Sequence, residues 1–88
     1  MDEAAQIQEL LNYIETEVIR RRGTPLTADA PLVSSGLIDS FALVDILGKL
    51  EDVTNTRIPA GKVQPKDMDS VNLMLATAKR VGKPRKTV

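Results

Sequence analysis

The chain has no cysteine, no histidine and no tryptophan, and its only aromatic residues are Tyr13 and Phe41. Without cysteine there is no disulfide and no thiolate metal site, and no compartment can be read from redox usage. Without histidine the commonest general base and the commonest metal ligand are both missing. Any thiol chemistry here must use a thiol that the chain does not encode. With so few aromatics the core must be Leu, Ile, Val, Ala and Met, which favours helices packed on helices over a β-sandwich. No apolar run approaches the length of a membrane span, and the acidic N-terminus does not resemble a secretory signal. A cytoplasmic location is expected, with no membrane partner.

What is present fits one small domain. The 88 residues are 42% apolar, which argues against wholesale disorder. The formal net charge is zero, but the signs are segregated. Residues 29–52 hold Asp29, Asp39, Asp45, Glu51 and Asp52 against Lys49 alone, a local charge of −4. Residues 57–88 hold eight basic residues against Asp67 and Asp69, a local +6. Such asymmetry concerns partners and solubility more than fold.

Residues 3–22 read as a first helix, with Ile7, Leu10, Leu11, Ile14 and Val18 forming one apolar stripe. Arg20, Arg21 and Arg22 suit its C-terminal end, Gly23 is a good residue just past it, and Pro25 prevents resumption. A long loop over residues 24–39 follows, with Leu26, Leu32 and Val33 as its expected anchors. Residues 40–53 read as a second helix whose apolar face is Leu43, Val44, Leu47 and Leu50, with Ile46 beside it. Gly48 is unusual mid-helix. Either it permits close approach of another helix or a partner, or it is a tolerated surface residue. Thr54-Asn55-Thr56 ends that helix, Ile58 is an expected buried anchor, and residues 60–63 suggest one short helical turn before Pro65. Asp69 or Ser70 then caps a final helix carrying Val71, Leu73, Met74, Leu75, Ala78 and Val81. Gly82 and Pro84 stop it. The expected domain is residues 1–82, and residues 83–88 are expected to be a frayed, basic, flexible tail. The expected fold is all-α: an up-and-down four-helix bundle of three main helices and one short one, with a long first loop.

The second helix begins at a distinctive stretch, Gly36-Leu37-Ile38-Asp39-Ser40-Phe41. Gly36 offers a sharp turn and Asp39 a preferred N-cap. Ser40 would then be the first helical residue, its hydroxyl beside uncapped N–H groups and the positive end of the helix dipole. A phosphate esterified there would lie in an anion-favouring position. A second Asp-Ser pair, Asp69-Ser70, lacks the preceding Gly and is assigned to ordinary capping.

Gly-Leu-Ile-Asp-Ser-Phe resembles the attachment motif of the acyl and peptidyl (aminoacyl) carrier proteins. The resemblance extends upstream to Leu26-Thr27-Ala28-Asp29-Ala30-Pro31-Leu32, similar to that family's first loop. Downstream it takes in Ile58-Pro59 and Val63–Val71, so roughly residues 5–80 follow the family pattern. The resemblance implies a chain that is not an enzyme. It implies 4′-phosphopantetheine on Ser40, with Asp39 and Gly36 shaping the site. It also implies a phosphopantetheinyl transferase, a loading ligase or acyltransferase, and downstream enzymes as partners. Leu37, Phe41 and Val44 are the candidate apolar docking contacts, and Asp45, with Asp39 and Asp52, the candidate steering charges. A monomer is expected. Fatty-acid carriers are usually strongly acidic, whereas this chain is neutral, carries Gly48-Lys49 in its second helix and has Thr54 where Phe is frequent. It therefore looks more like a free-standing carrier of a dedicated pathway.

Other readings have less behind them. A Ser40 nucleophile needs a base, there is no histidine, and the residue three positions on is Leu43 rather than Lys. The acids are spread rather than clustered for a cation. Lys79, Arg80, Lys83, Arg85 and Lys86 make a basic run without aromatics to stack bases, so no nucleic-acid partner is expected. The remaining alternative is an unmodified helical adaptor in which Ser40 is incidental.

Overall fold

A computed structural model of the protein describes residues 2–19 and 26–84. It is mostly helical, with three α-helices and little strand, as an all-α expectation requires. Helix α1 spans Glu3–Tyr13, and the Asp2 carboxylate caps it by accepting from the Ala5 N–H at 2.8 Å. Leu10 and Ile14 are fully buried, and Ile7, Leu11 and Val18 pack beside them.

The first helix departs from the expected regular form after Tyr13. Ile14–Ile19 is π-helical. The Thr16 hydroxyl donates to the Asn12 carbonyl at 2.7 Å, on the acceptor that an α-turn would give to the Thr16 N–H. The expected close of this helix, at Arg20–Arg22, Gly23 and Pro25, lies outside the described residues.

Helix α2 spans Ser40–Thr54, one residue beyond the expected end. Asn55 stops it in the left-handed conformation (φ 53°), its N–H donating to Glu51 O. Asn tolerates that conformation better than most residues, and the bond satisfies a C-terminal carbonyl. The buried face of α2 is Ile46, Leu50 and Val53, while Leu43 and Leu47 are half-buried. The expected face is thus corrected. Val44 is 72% exposed, because it lies two residues, or about 200° of helix turn, from Ile46.

Past Asn55 the chain makes two 3-10 turns, Ala60–Lys62 and Pro65–Met68. The first matches the expected turn, and the second, which is not among the expected elements, begins at Pro65. Gln64 and Asp67 cap it reciprocally, and a proline at the first helical position loses no useful donor. Ser70 then opens α3 (Val71–Val81), accepting from the Leu73 N–H at 3.1 Å. Val71, Met74, Leu75 and Ala78 put a full apolar stripe of α3 into the core, which they share with Leu10 of α1, Ile14 of the π-helical stretch, and Ile46 and Leu50 of α2.

Lys83 and Pro84, expected to be frayed, instead pair antiparallel with Thr56 and Arg57 in a two-residue ribbon. Gly82 allows it. A side chain there would crowd Ala78 O and sit 3.1 Å from Thr56 Oγ1. The rest of the expected tail, Arg85–Val88, lies outside the described residues.

Gly48 is exposed, and a Cβ added to it would meet nothing within 4 Å. No other helix of the described protein needs the glycine. Gly48→Ala should therefore stabilise the fold by about 1 kcal/mol, the difference in helix propensity. Urea unfolding measures it; a variant less stable than the wild type would reveal packing at this position.

Candidate functional site

The first residues of α2 are built as a sharp corner followed by a capped helix start. Gly36 has φ +80°, a conformation that disfavours any side chain, and its N–H donates to Val33 O at 3.1 Å. Ile38 is buried, and its N–H donates to Leu32 O at 3.1 Å. The Asp39 carboxylate accepts from the Ala42 N–H at 2.9 Å and so caps α2. Ser40 is the first helical residue and is exposed. Its hydroxyl makes no hydrogen bond among the described residues, so no acid or base is paired with it. Helix geometry leaves the N–H groups of Ser40 and Phe41 without intrahelical acceptors.

The second Asp-Ser pair adopts the opposite arrangement. Ser70 is only 7% exposed and its oxygen is the cap. Asp69, one residue before the cap, turns its carboxylate onto the first loop. Oδ1 accepts from the N–H groups of Leu32, Val33 and Ser34 at 3.1, 2.8 and 2.9 Å, and Oδ2 accepts from the Ser34 hydroxyl at 2.8 Å. The Leu32 N–H also reaches Asp69 O at 2.7 Å. These donors hold the Asp69 pKa below its ordinary value. The Ser34 N–H contributes most and the Ser34 hydroxyl next, while partial desolvation works against them. Local reading offered Asp69 only as a cap. Its partners lie 35–37 residues earlier, and nothing in its own neighbourhood signals them.

Around Ser40 the side chains named as docking candidates face solvent. Phe41 is 85% exposed, Val44 72% and Leu37 40%, and Asp45 is exposed beside them. Phe41 and Val44, three residues apart, share one side of the start of α2, and Leu37 stands in the turn just before it. Below them Leu43, Val44 and Leu47 face Ala60, Val63, Pro65 and Met68 across an open apolar groove of about 190 Å³. The negative charge of this region is distributed unevenly. Glu51 accepts from the Ile58 N–H at 2.8 Å, and Asp29 accepts from the Asn72 side chain. These neutral donors leave the charges in place. Lys49 is directed away, pairing with Glu9 of α1 at 3.2 Å and lying 5.7 Å from the Tyr13 ring centroid. Its cation is therefore committed to the α1 side.

A carboxylate whose folded pKa lies below its unfolded value stabilises the fold fully above the unfolded value, near 3.9 for Asp. That contribution fades as pH falls through the lower folded value. For Asp69 the excess stability of the wild type over Asp69→Asn should be constant near pH 6–7 and shrink below about pH 4. Denaturant titrations at several pH values measure the difference. An excess that persists undiminished to pH 2 would show that Asp69 is not held ionised by the loop.

Comparison with known proteins found no matching family model, no matching curated protein and no matching solved structure.

Proposed function

We propose that the protein is an acyl carrier that bears 4′-phosphopantetheine on Ser40 and passes thioester-bound acyl or aminoacyl groups between enzymes of a dedicated pathway. In this reading α1, α2 and α3, with the short turn at Ala60–Lys62, form the up-and-down bundle of the carrier family that the Gly36–Phe41 stretch resembles. The observation that carries it is the Ser40 hydroxyl. It is exposed, without a hydrogen-bond partner among the described residues, and set at the first position of a capped helix straight after a left-handed glycine corner.

The donor set suits the group. Free first-turn N–H groups and the helix dipole favour an anionic phosphodiester at Ser40. The Asp39 carboxylate, which keeps its charge while accepting from the Ala42 N–H at 2.9 Å, opposes it in part. When attached, the arm supplies the thiol that the chain lacks. Ser40 offers only the oxygen that forms the ester, because no side chain among the described residues is bonded to it to take its proton; the base belongs to the transferase. Leu37, Phe41 and Val44 give a partner a small apolar footing, suited to brief docking. Asp45 and the negative field of residues 29–52 steer basic partners toward it. The protein then acts as a carrier and not as an enzyme, in the cytoplasm and as a monomer. The open groove below Val44 offers an apolar surface to the apolar part of a cargo.

Intact mass after incubation with coenzyme A and a broad-specificity transferase tests this. The wild type and Ser70→Ala should gain one pantetheine unit, and Ser40→Ala none. A wild type that stays unmodified would favour an unmodified adaptor using the same exposed stripe. Modification of Ser40→Ala would move the site elsewhere. For docking, Phe41→Ala and Asp45→Lys should each slow modification about fivefold or more at limiting carrier, the scale of one modest interface contact. Removing residues 85–88 should leave the rate unchanged. The opposite pattern would put the partner surface at the basic end.

A further inference from the structure

Ser40 is presented by a loop that has little secondary structure of its own, so something outside the loop must fix it. Helix α3 does so from across the fold. Val71, Met74 and Leu75 are almost wholly buried, which makes the start of α3 one of the firmest points in the molecule. Asp69 stands two residues ahead of Val71. Its carboxylate gathers the backbone N–H groups of Leu32, Val33 and Ser34 together with the Ser34 hydroxyl.

The same loop residues then hold the start of α2. Leu32, whose N–H is shared between the Asp69 carbonyl at 2.7 Å and the Asp69 carboxylate at 3.1 Å, accepts from the Ile38 N–H through its own carbonyl. Val33, also held by Asp69, accepts from the Gly36 N–H. Ser35 ties the turn further, its hydroxyl donating to Pro31 O at 2.6 Å. Ile38 immediately precedes the capping Asp39 and the reactive Ser40. One loop residue therefore separates the Asp69 carboxylate from the residue that anchors the helix start.

From this geometry we infer that Asp69 is a positioning residue: by clamping residues 32–34 it holds Ile38, and through it the Asp39-Ser40 corner, in the orientation that presents the Ser40 hydroxyl. The inference rests on Ser40 being the attachment site for its functional half. Its structural half, control of the α2 start from α3, stands without that reading.

A second clasp between the loop and α3 provides the comparison. The Asn72 side chain donates to Asp29, ten residues upstream of Asp39 and outside the Leu32–Ile38 linkage. The experiment compares wild type, Asp69→Ala, Asp69→Asn and Asn72→Ala by amide hydrogen exchange and by transferase kinetics with coenzyme A. Loss of a charge-assisted hydrogen-bond set should speed exchange at Val33, Ser34 and Ile38 about tenfold or more in Asp69→Ala. Asp69→Asn keeps an acceptor without the charge and should fall between the two. Asn72→Ala should leave Ile38 unchanged. Modification should follow the same order, with kcat falling about tenfold in Asp69→Ala and KM for the carrier little altered, because Phe41 and Val44 remain on an intact helix.

Unchanged Ile38 exchange in Asp69→Ala would overturn the proposal. So would an Asn72→Ala variant slowed as much as Asp69→Ala, since general loosening would then explain both. Should Asp69→Ala fail to fold, faster Ile38 exchange in Asp69→Asn than in wild type supports the clamp, and equal exchange overturns it. A wild type that accepts no pantetheine defeats the attachment reading instead, and the exchange data alone then decide whether Asp69 governs the start of α2.

Discussion

The clamp of the Asp69 carboxylate on the Leu32–Ser34 backbone solves the main difficulty of this fold, a long connection that has to be ordered without a helix or a sheet. Each ordered residue costs roughly 1 kcal/mol or more of chain entropy. Burying Leu32 and Ile38 contributes about 2–3 kcal/mol each. Those two side chains alone cannot hold residues 26–39. The backbone N–H groups near the buried Leu32 must also find acceptors, since leaving them unpaired would be costly. One carboxylate supplies three N–H groups with an acceptor and a hydroxyl with another. It does so from the start of α3, the element most deeply set in the core, so the loop inherits the position of that helix.

The two Asp-Ser pairs show how one dipeptide serves two ends. At residues 39 and 40 the aspartate caps and the serine is left outside. At residues 69 and 70 the serine caps and the aspartate is released toward the loop. The difference follows from which neighbour must be buried. Val71 is wholly buried and must enter α3 at its first position, which makes Ser70 the cap. Ile38 is buried before its helix begins, and the cap falls on the next residue, Asp39. Burial thus sets the frame, and capping chemistry adapts to it by one residue.

Features decided within a few residues were legible in the sequence. The start and end of α2, the Ser70 cap, the 3-10 turn near residue 60 and the stop at Gly82 follow from caps, turn residues and apolar spacing. Features decided across the chain were not. The sequence shows a stripe through Leu43 and Val44, but the core lies on the Ile46, Leu50 and Val53 side because α1 and α3 approach from there. The Thr56–Pro84 ribbon depends on Gly82 letting Thr56 come close. The π-helical form of Ile14–Ile19 does not show in the apolar spacing of that stretch. At the candidate site the Gly36 corner, the Asp39 cap and the exposed Ser40 were readable locally. Asp69 was not, because its role is written in residues 32–34. The charge count over residues 29–52 was readable, but the direction in which Lys49 points was not.

Phe41 provides the last step. A core starved of aromatics would gain from enclosing the single phenylalanine, since burying such a side chain contributes about 1.5–3 kcal/mol. Instead Phe41 is 85% exposed, beside Val44 at 72% and one residue from Ser40. Single exposed apolar residues are ordinary on a protein surface. Phe41 and Val44 stand three residues apart on α2 beside an exposed hydroxyl, which suits the docking proposed for them. The two sides of α2 thus differ in what they face. Ile46, Leu50 and Val53 face the core, while Phe41 and Val44 face away from it. In the proposed carrier, a partner would grip the exposed side of α2 and leave undisturbed the packing that keeps the helix in place.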